Sequence, residues 1–552
     1  MASQTDILVV GAGPVGLVMA SELARYGVKS RAIDAKAGRT DKSKALVMWS
    51  RSLEVMESLG CIQPILAAGA PGYGASVYAH GQRVAHLALD GLKSPYPYVQ
   101  LIAQSETERV LEEHLESLGG RVERQVTLTG LTQDDSGVRA TLRQADGTDE
   151  EVCCSYLVGC DGAHSTVRHL LALPFEGRTV PSEWALFDVK IDGPLPRDEF
   201  RIYWSDHGVL AFFPIPPDRF RLIADWKARP GDQGDEPTLE DAQGLLDERG
   251  PGGLRAHDPV WLSSFRINER KVAEYRKGRC FVAGDAAHIH SPVGGQGMNT
   301  GIQDAFNLAW KLALVLRGQA PVEILDSYNA ERSFIAEMVL KGTSAATALV
   351  SSRNPLLETL RDRLVPLLVS LEPVQDRLRL MLGELAIHYV RSPLNAERVG
   401  LRACSWHLGH GAAPGSRAPD GRLNHPADGR AARVFELLRG TSWTLLVFSG
   451  IHPTPEAIAS LDSVATAVEQ RYPDLVAVRR IADGRGTHLP AWPYLDPDRS
   501  VHAEYGATEP TLYLIRPDGY VACRSQPADP GHLQAYLERW LRPRPALPVR
   551  GL

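Results

Sequence analysis

At 552 residues, with 44% hydrophobic and 23% charged side chains, the chain exceeds one ordinary domain and carries material for two or three cores. A formal charge of −6, with no Lys/Arg cluster interleaved with aromatics, excludes a nucleic-acid groove. Seven scattered cysteines, without Cys-x-x-Cys or a histidine at metal spacing, argue against a zinc site or disulfide framework and for a reducing, cytoplasmic setting.

Met1 to Asp6 leads directly into an apolar strand, leaving no room for a signal segment, and no apolar run approaches the roughly 20 residues of a spanning helix. Residues 6 to 34 then read as a strand, the turn Gly11-Ala-Gly13-Pro-Val15-Gly16, a helix, and a second strand ending at Asp34. This order is the dinucleotide fingerprint. Gly11 permits the tight turn, Gly13 lets a pyrophosphate approach the backbone, and Gly16 seats the helix on the sheet. Unpaired N–H groups at the helix start favour the anion, Val15 lies within the same turn, and Asp34 is placed to accept from an adenosine ribose. Strand and helix signals alternate to residue 170, including Leu101 to Leu115, with Gln104 just ahead of a helix.

Tyr156 to Gly159 reads as a strand entering Cys160-Asp161-Gly162 and a helical start that carries Ser165 and Arg168. Taken alone, Asp-Gly marks a turn. From 176 to 275 the character changes: Trp184–Ile191, Phe200–Trp204, Val209–Pro214 and Phe220–Trp226 read as strands between Pro, Asp and Gly turns. They predict an inserted antiparallel sheet. Phe281 to Gly284 resumes the first domain and opens Gly284-Asp285-Ala-Ala-His288-Ile-His290-Ser-Pro292-Val-Gly-Gly-Gln-Gly297-Met298-Asn299. Ile302, Phe306, Ala309, Leu312 and Leu316 then give one helix face, stopped by Gly318. Helical patterns continue through Leu325 to Lys341 and, less regularly, Leu356 to His388. Leu356 to Leu368 is amphipathic and lacks a basic polar face, which favours a packing or homodimer contact over a membrane surface.

The Gly/Pro/Arg-rich tract Gly409–Gly421 marks a boundary. Beyond it Trp443–Phe448, Leu475–Ile481, Thr511–Ile515 and Tyr520–Arg524 read as strands, Leu533–Leu541 as a helix, and Arg542 to Leu552 as an unstructured tail. Glu509-Pro510, ahead of a strand and hairpin, resembles the proline-strand-hairpin of the thioredoxin fold and is expected to hold a cis proline. Ser449 to Pro453 contains no cysteine, so disulfide exchange is not expected of this domain.

The three motifs, at Gly11–Gly16, Asp161–Arg168 and Gly284–Asp285, together resemble those of the single-component flavin-dependent aromatic hydroxylases, a likeness covering residues 5 to 350. It implies an α/β fold: a Rossmann-like FAD-binding domain (1–175 and 276–400), an inserted antiparallel β-sheet substrate domain (176–275), and a C-terminal thioredoxin-like domain without redox cysteines (410–545). It implies FAD as cofactor, NADPH or NADH as transient co-substrate, O2, and a phenolic or polyketide-like aromatic substrate hydroxylated through a flavin C4a-hydroperoxide. The implied roles follow residue by residue. Asp285 binds a ribityl hydroxyl; N–H groups of Gly297, Met298 and Asn299 stabilise charge near flavin N1. Pro292 shapes the oxygen edge. Asp161 and Arg168 serve flavin and nicotinamide and Gly162 binds cofactor, with a surface ion pair the other reading of Arg168. Lys44 stands where many relatives carry arginine near the diphosphate.

Trp204, Phe212, Phe213 and Trp226 are candidates to sandwich a substrate ring, with core packing an equal reading for each. His288 and His290 lie beside the flavin motif without a feature that marks either as a base. The same machinery also fits epoxidation, quinone formation or Baeyer–Villiger insertion. A reading of a different class is a catalytically silent flavin-fold binding protein, against which the intact Asp161, Asp285 and Pro292 argue.

Overall fold

The structure is a computed structural model describing residues 3–40, 42–226, 236–350, 368–400, 411–425, 430–484 and 492–543. It divides into two compact units: residues 1–306 with 335–385, and residues 307–334 with 386–552.

In the first unit the apolar run predicted at the N-terminus is β1 (Ser3–Val10), followed by α1 (Pro14–Arg25) and β2 (Ser30–Asp34). The predicted helix near Gln104 is α2 (Gln104–Ser117), with Gln104 as its first residue. β3 (Asp149–Gly159) lies parallel to β1 on the side opposite β2. It leads to α3 (Thr166–Leu170). The long β4 (Phe175–Asp192), β5 (Glu199–Ser205), β6 (Gly208–Ile215) and β7 (Arg219–Asp225) follow, then α4 (Leu239–Arg249) and β8 (Arg255–Val272). The short β9 (Cys280–Val282) returns to the first sheet parallel to β3. The carboxyl ends of β1, β3 and β9 therefore deliver Gly11, Cys160–Asp161 and Gly284 to one edge, where such sheets bind ligands.

The second sheet has eight strands, wider than the segment 176–275 predicted. Residues 288–289, β8, β4, β7, β6 and β5 run in that order and continue into Gly74–Ala79 and Gln82–Ala88. Gly74–Ala79 pairs parallel to β5, so the sheet is mixed at that side. β8 did not stand out in the sequence because its polar and apolar residues do not alternate cleanly; its 18 residues pair with β4 along most of their length.

α5 (Gly297–Leu316) is the helix predicted from Ile302 to Leu316, and Gly318 ends it at φ +67. α6 (Glu372–Leu382) follows in the first unit. The amphipathic stretch from Leu356 lies almost wholly outside the described residues.

In the second unit β10 (Trp443–Phe448), α7 (Pro455–Arg471) and β11 (Val476–Ala482) form a parallel crossover. β12 (Thr511–Ile515) and β13 (Val521–Gln526) then form a hairpin, with β12 antiparallel to β10, and α8 (Pro530–Trp540) closes the chain. The expected cis proline at Pro510 is corrected: the cis bonds are Pro216–Pro217 and Gln526–Pro527. The X-Pro isomer is fixed by tertiary contacts, which sequence does not display. The six described cysteines are free, and among the described residues no helix is long and apolar enough to cross a membrane and no metal-ligating cluster occurs.

Candidate active site

The three glycines of the first turn serve different ends. Gly11 has φ +101, and a Cβ there would lie 2.4 Å from the Cys160 carbonyl oxygen; a Cβ on Gly16 would lie 1.8 Å from the Gly11 oxygen. Both are glycine because protein is in the way. Gly13 caps α1 in extended backbone, and no protein atom lies within 4 Å of where its Cβ would be. Its smallness keeps space open for something that is not this chain.

Asp34 closes the other side. Its carboxylate accepts from Ala12 N–H and from Lys36 N–H, both at 2.8 Å, which fixes β2 against the turn and leaves further lone pairs on each oxygen. Val15 packs inward: a Cβ on Gly284 or on Gly301 would fall 2.8 or 2.7 Å from its Cγ2. The glycine turn thus touches Gly284, some 270 residues downstream, through Val15.

Asp285 follows Gly284 and is open to water, yet so much protein surrounds it that burial pushes its carboxyl above the usual range, with His288 and Lys44 pulling the other way. It makes no hydrogen bond to any described residue. A carboxylate at a cleft floor without a donor is a site for one. The exposed Lys44 acts on Asp285 through its charge.

His288, paired with Asp304 at 2.7 Å, is buried; the same Asp304 oxygen accepts from Gly284 N–H at 3.0 Å. Its role here is to hold the Gly284 turn. His290 Nδ1 bonds the Ser291 carbonyl at 2.9 Å, and burial pulls its pKa down to about 4, so it is neutral.

At the start of α5, Thr300 N–H bonds the Gln296 carbonyl at 2.8 Å, which makes Gln296 the cap. The N–H groups of Gly297, Met298 and Asn299 are the donors that an α-helix leaves unpaired in its first turn. The Asn299 side chain is spent elsewhere: it accepts from Trp49 N–H at 2.9 Å and donates to the carbonyls of Val47 and Gly295. Pro292 is exposed at the lip of this loop, and its carbonyl accepts from Gly295 N–H at 2.9 Å.

Asp161 accepts from the Ser165 hydroxyl at 2.6 Å and Val167 N–H at 3.1 Å, while burial raises its pKa against those bonds. Gly162, at φ +79, faces open space. Arg168 is buried, donates to the carbonyls of Ala163 and Ala286, and lies 3.9 Å from the centre of the Phe175 ring. Its guanidinium joins the Asp161 segment to the Asp285 segment. Gln104 likewise ties chain to chain, accepting from Ala45 N–H and donating to Glu108.

Strand alternation divides the four aromatic candidates. Phe212 is buried in the core formed with Tyr203, Leu222 and Leu246, and Trp226 packs against the same core. Both face α4, which is the core-packing alternative of their two readings. Phe213 points to the opposite face, 5.2 Å from Phe200 and packed on a cluster that includes Val47, Trp49 and Ile215. Trp49 Nε1 in turn donates to the Gly294 carbonyl at 2.8 Å. Trp204 shares Phe213's face by register but is buried in its own cluster with Ala79 and Val209. Sequence reasoning missed Trp49, whose isolated position carries no motif.

Comparison with known proteins shows the family. Residues 4–343 match the FAD binding domain family, and residues 411–543 match the aromatic-ring hydroxylase C-terminal family. The chain is 36% identical to 6-methylpretetramide 4-monooxygenase of Streptomyces rimosus over 541 residues, 97% of this chain and 93% of that one. It is 31% identical to pentachlorophenol 4-monooxygenase of Sphingobium chlorophenolicum over 94% of this chain and 93% of that one. The solved structure of the OxyS anhydrotetracycline hydroxylase from Streptomyces rimosus superposes with a TM-score of 0.76 at 29% identity, covering 98% of this chain and 100% of that one. The glycine turn, the donor-free Asp285 and the open start of α5 all fit FAD, and this chain belongs to the FAD-dependent aromatic-ring hydroxylases, as a flavoprotein monooxygenase.

Proposed function

We propose that this monooxygenase uses NADPH or NADH and O2 to hydroxylate a phenolic, polyketide-like aromatic held between the Pro292–Asn299 loop and the Phe213 face of the second sheet. The observation that supports the reading is the loop ahead of the three open N–H groups of α5, which at Gly295 packs on Val47 of the apolar cluster that carries Phe213. Its relatives named above act on 6-methylpretetramide, pentachlorophenol and anhydrotetracycline.

When bound, FAD supplies the redox and oxygen-activating chemistry, and the protein supplies position and electrostatics. Gly13 would leave room for the diphosphate in the turn that Gly11 and Gly16 make possible, with Asp34 toward the adenosine ribose. Asp285 accepts from a ribityl hydroxyl, and Lys44 balances charge over the same cleft. The N–H groups of Gly297, Met298 and Asn299 would offset negative charge on a bound flavin ring. Pro292 has no N–H and so borders the reacting edge without a competing donor. Asp161, Gly162 and Arg168 shape the side that admits the nicotinamide, Arg168 by holding two backbone segments together. Gln104 positions residues 43–45. Phe213 stacks near the substrate ring, with Trp204 further along that face.

Residues 411–543 are read as a thioredoxin-like domain of structural use, supported by the β10–α7–β11 crossover and the β12–β13 hairpin. A homodimer is supported by exposed Leu380 and Met381 on the outer side of α6, and a cytoplasmic setting by the free cysteines.

The test is to purify the protein, record its visible spectrum, and follow NADPH and NADH oxidation with and without a panel of phenols. A yellow protein whose oxidation of one nicotinamide is accelerated by a phenol that gains one oxygen is expected. A colourless protein, or no phenol that accelerates the reaction, overturns the reading.

A further inference from the structure

α6 stands beside the cofactor motif without belonging to it. Its inward residues Val374, Leu378, Leu382 and the following Leu385 recur at helical spacing, while Leu380 and Met381 point outward. Leu378 and Leu382 are only half-buried, packed on the same cluster as Phe213 and Ala75. These four are the members of that cluster's surroundings that keep apolar surface uncovered. A Cβ on Gly294 would lie 3.5 Å from Leu382 Cδ2, so the helix reaches the loop that begins at Pro292.

The helix is held there through its C-terminal turn and the residues just after it. Arg379 Nε donates to the Ala88 carbonyl at 2.7 Å, fixing it to the edge of the second sheet. Beside it the Met381 carbonyl accepts from Gln296 at 3.1 Å, and the Gly383 carbonyl accepts from Arg51 N–H at 3.1 Å. The buried Glu384 accepts from Gln303 and from Thr300, both on the first turns of α5. Glu384 has φ +56, a conformation that non-glycine residues adopt only where surrounding contacts impose it.

The geometry points to α6 as one wall of the substrate pocket, with Leu378 and Leu382 as specificity-determining residues that face Phe213 across an apolar slot. A slot walled by a sheet face and one helix stripe selects flat, extended fused-ring phenols over single rings. This deepens the function proposed above and rests on that cleft being the substrate site.

The experiment compares Leu378→Ala and Leu382→Ala with wild type, using a two-ring and a four-ring phenol as probes, with flavin content read from the visible spectrum. The ratio of kcat/KM between the two phenols is expected to shift about tenfold, through KM, the scale of lost hydrocarbon contact in an apolar pocket. Flavin content should stay at the wild-type level, and the outward-facing Leu380→Ala should leave the ratio unchanged. A ratio that moves less than about twofold in both alanine variants overturns the inference. Should those variants lose flavin, Leu378→Met and Leu382→Met, which conserve volume, decide by the same ratio. Wild type that oxidises no phenol at all sinks the functional reading itself, a failure distinct from an unmoved ratio.

Discussion

Gly13 and Gly16 stand three residues apart and are glycine for opposite reasons, one facing emptiness and the other facing backbone. Gly16→Ala is expected to destabilise the fold by about 3 kcal/mol or more, because the new methyl meets the Gly11 carbonyl. Gly13→Ala should leave stability of the apoprotein within about 0.5 kcal/mol yet weaken FAD binding by at least about tenfold. Urea unfolding and flavin fluorescence titration measure the two effects separately. Asp285 gives a pH prediction. Its raised carboxyl is fully compatible with folding only below its unfolded value of about 3.9, and it costs stability as pH rises through its folded value. A ligand hydroxyl favours the charged form, so FAD affinity should strengthen as pH rises through the Asp285 titration and level off above it. Asp285→Asn should flatten that slope; an unchanged slope would assign it to another group.

β6 shows what a period of two decides at the scale of an element. Phe212 and Phe213 are adjacent in sequence and lie on opposite faces, one in the α4 core and one toward the Trp49 cluster. Phe212→Ala should cost about 3–5 kcal/mol of stability, seen in denaturant melts, with little selective effect on KM. Phe213→Ala should raise KM for the aromatic substrate with a smaller loss of stability. Farther along the chain, the π-helical turn Asn329–Ser333 presents Glu331 to Arg516 at 2.7 Å and Lys311 at 2.8 Å, all fully buried. Burial alone would raise the Glu331 carboxyl, but Arg516 and Lys311 hold it well below the usual range. Its contribution is therefore present above the unfolded carboxylate value and is lost as pH falls below it. Glu331→Gln leaves two buried cations facing Asp518 alone and should cost about 3–5 kcal/mol in the same melts.

At the scale of the molecule, the boundary between the two compact units falls within α5, so residues 307–334 belong with the C-terminal residues 386–552. Lys311 and Glu331 find their buried partner Arg516 in that unit. A chain cut after residue 400 would strip them of it and is expected to give no soluble protein, which expression and a visible spectrum test directly. The sequence by itself determined the order of motifs, the family they resemble, and the cofactor: short-range signals such as a glycine turn between strand and helix are enforced by local backbone sterics. It determined most strands of the second sheet as well, since alternation is a local pattern. Only the tertiary structure decided which face each aromatic took, that Gly74–Ala88 joins the second sheet, and that Arg168 and Gln104 are ties between segments. It also brought Trp49 and α6 to the Gly294 loop. Those outcomes depend on pairing register and packing between residues far apart in the chain, and single-sequence patterns carry no record of which distant partner a side chain meets.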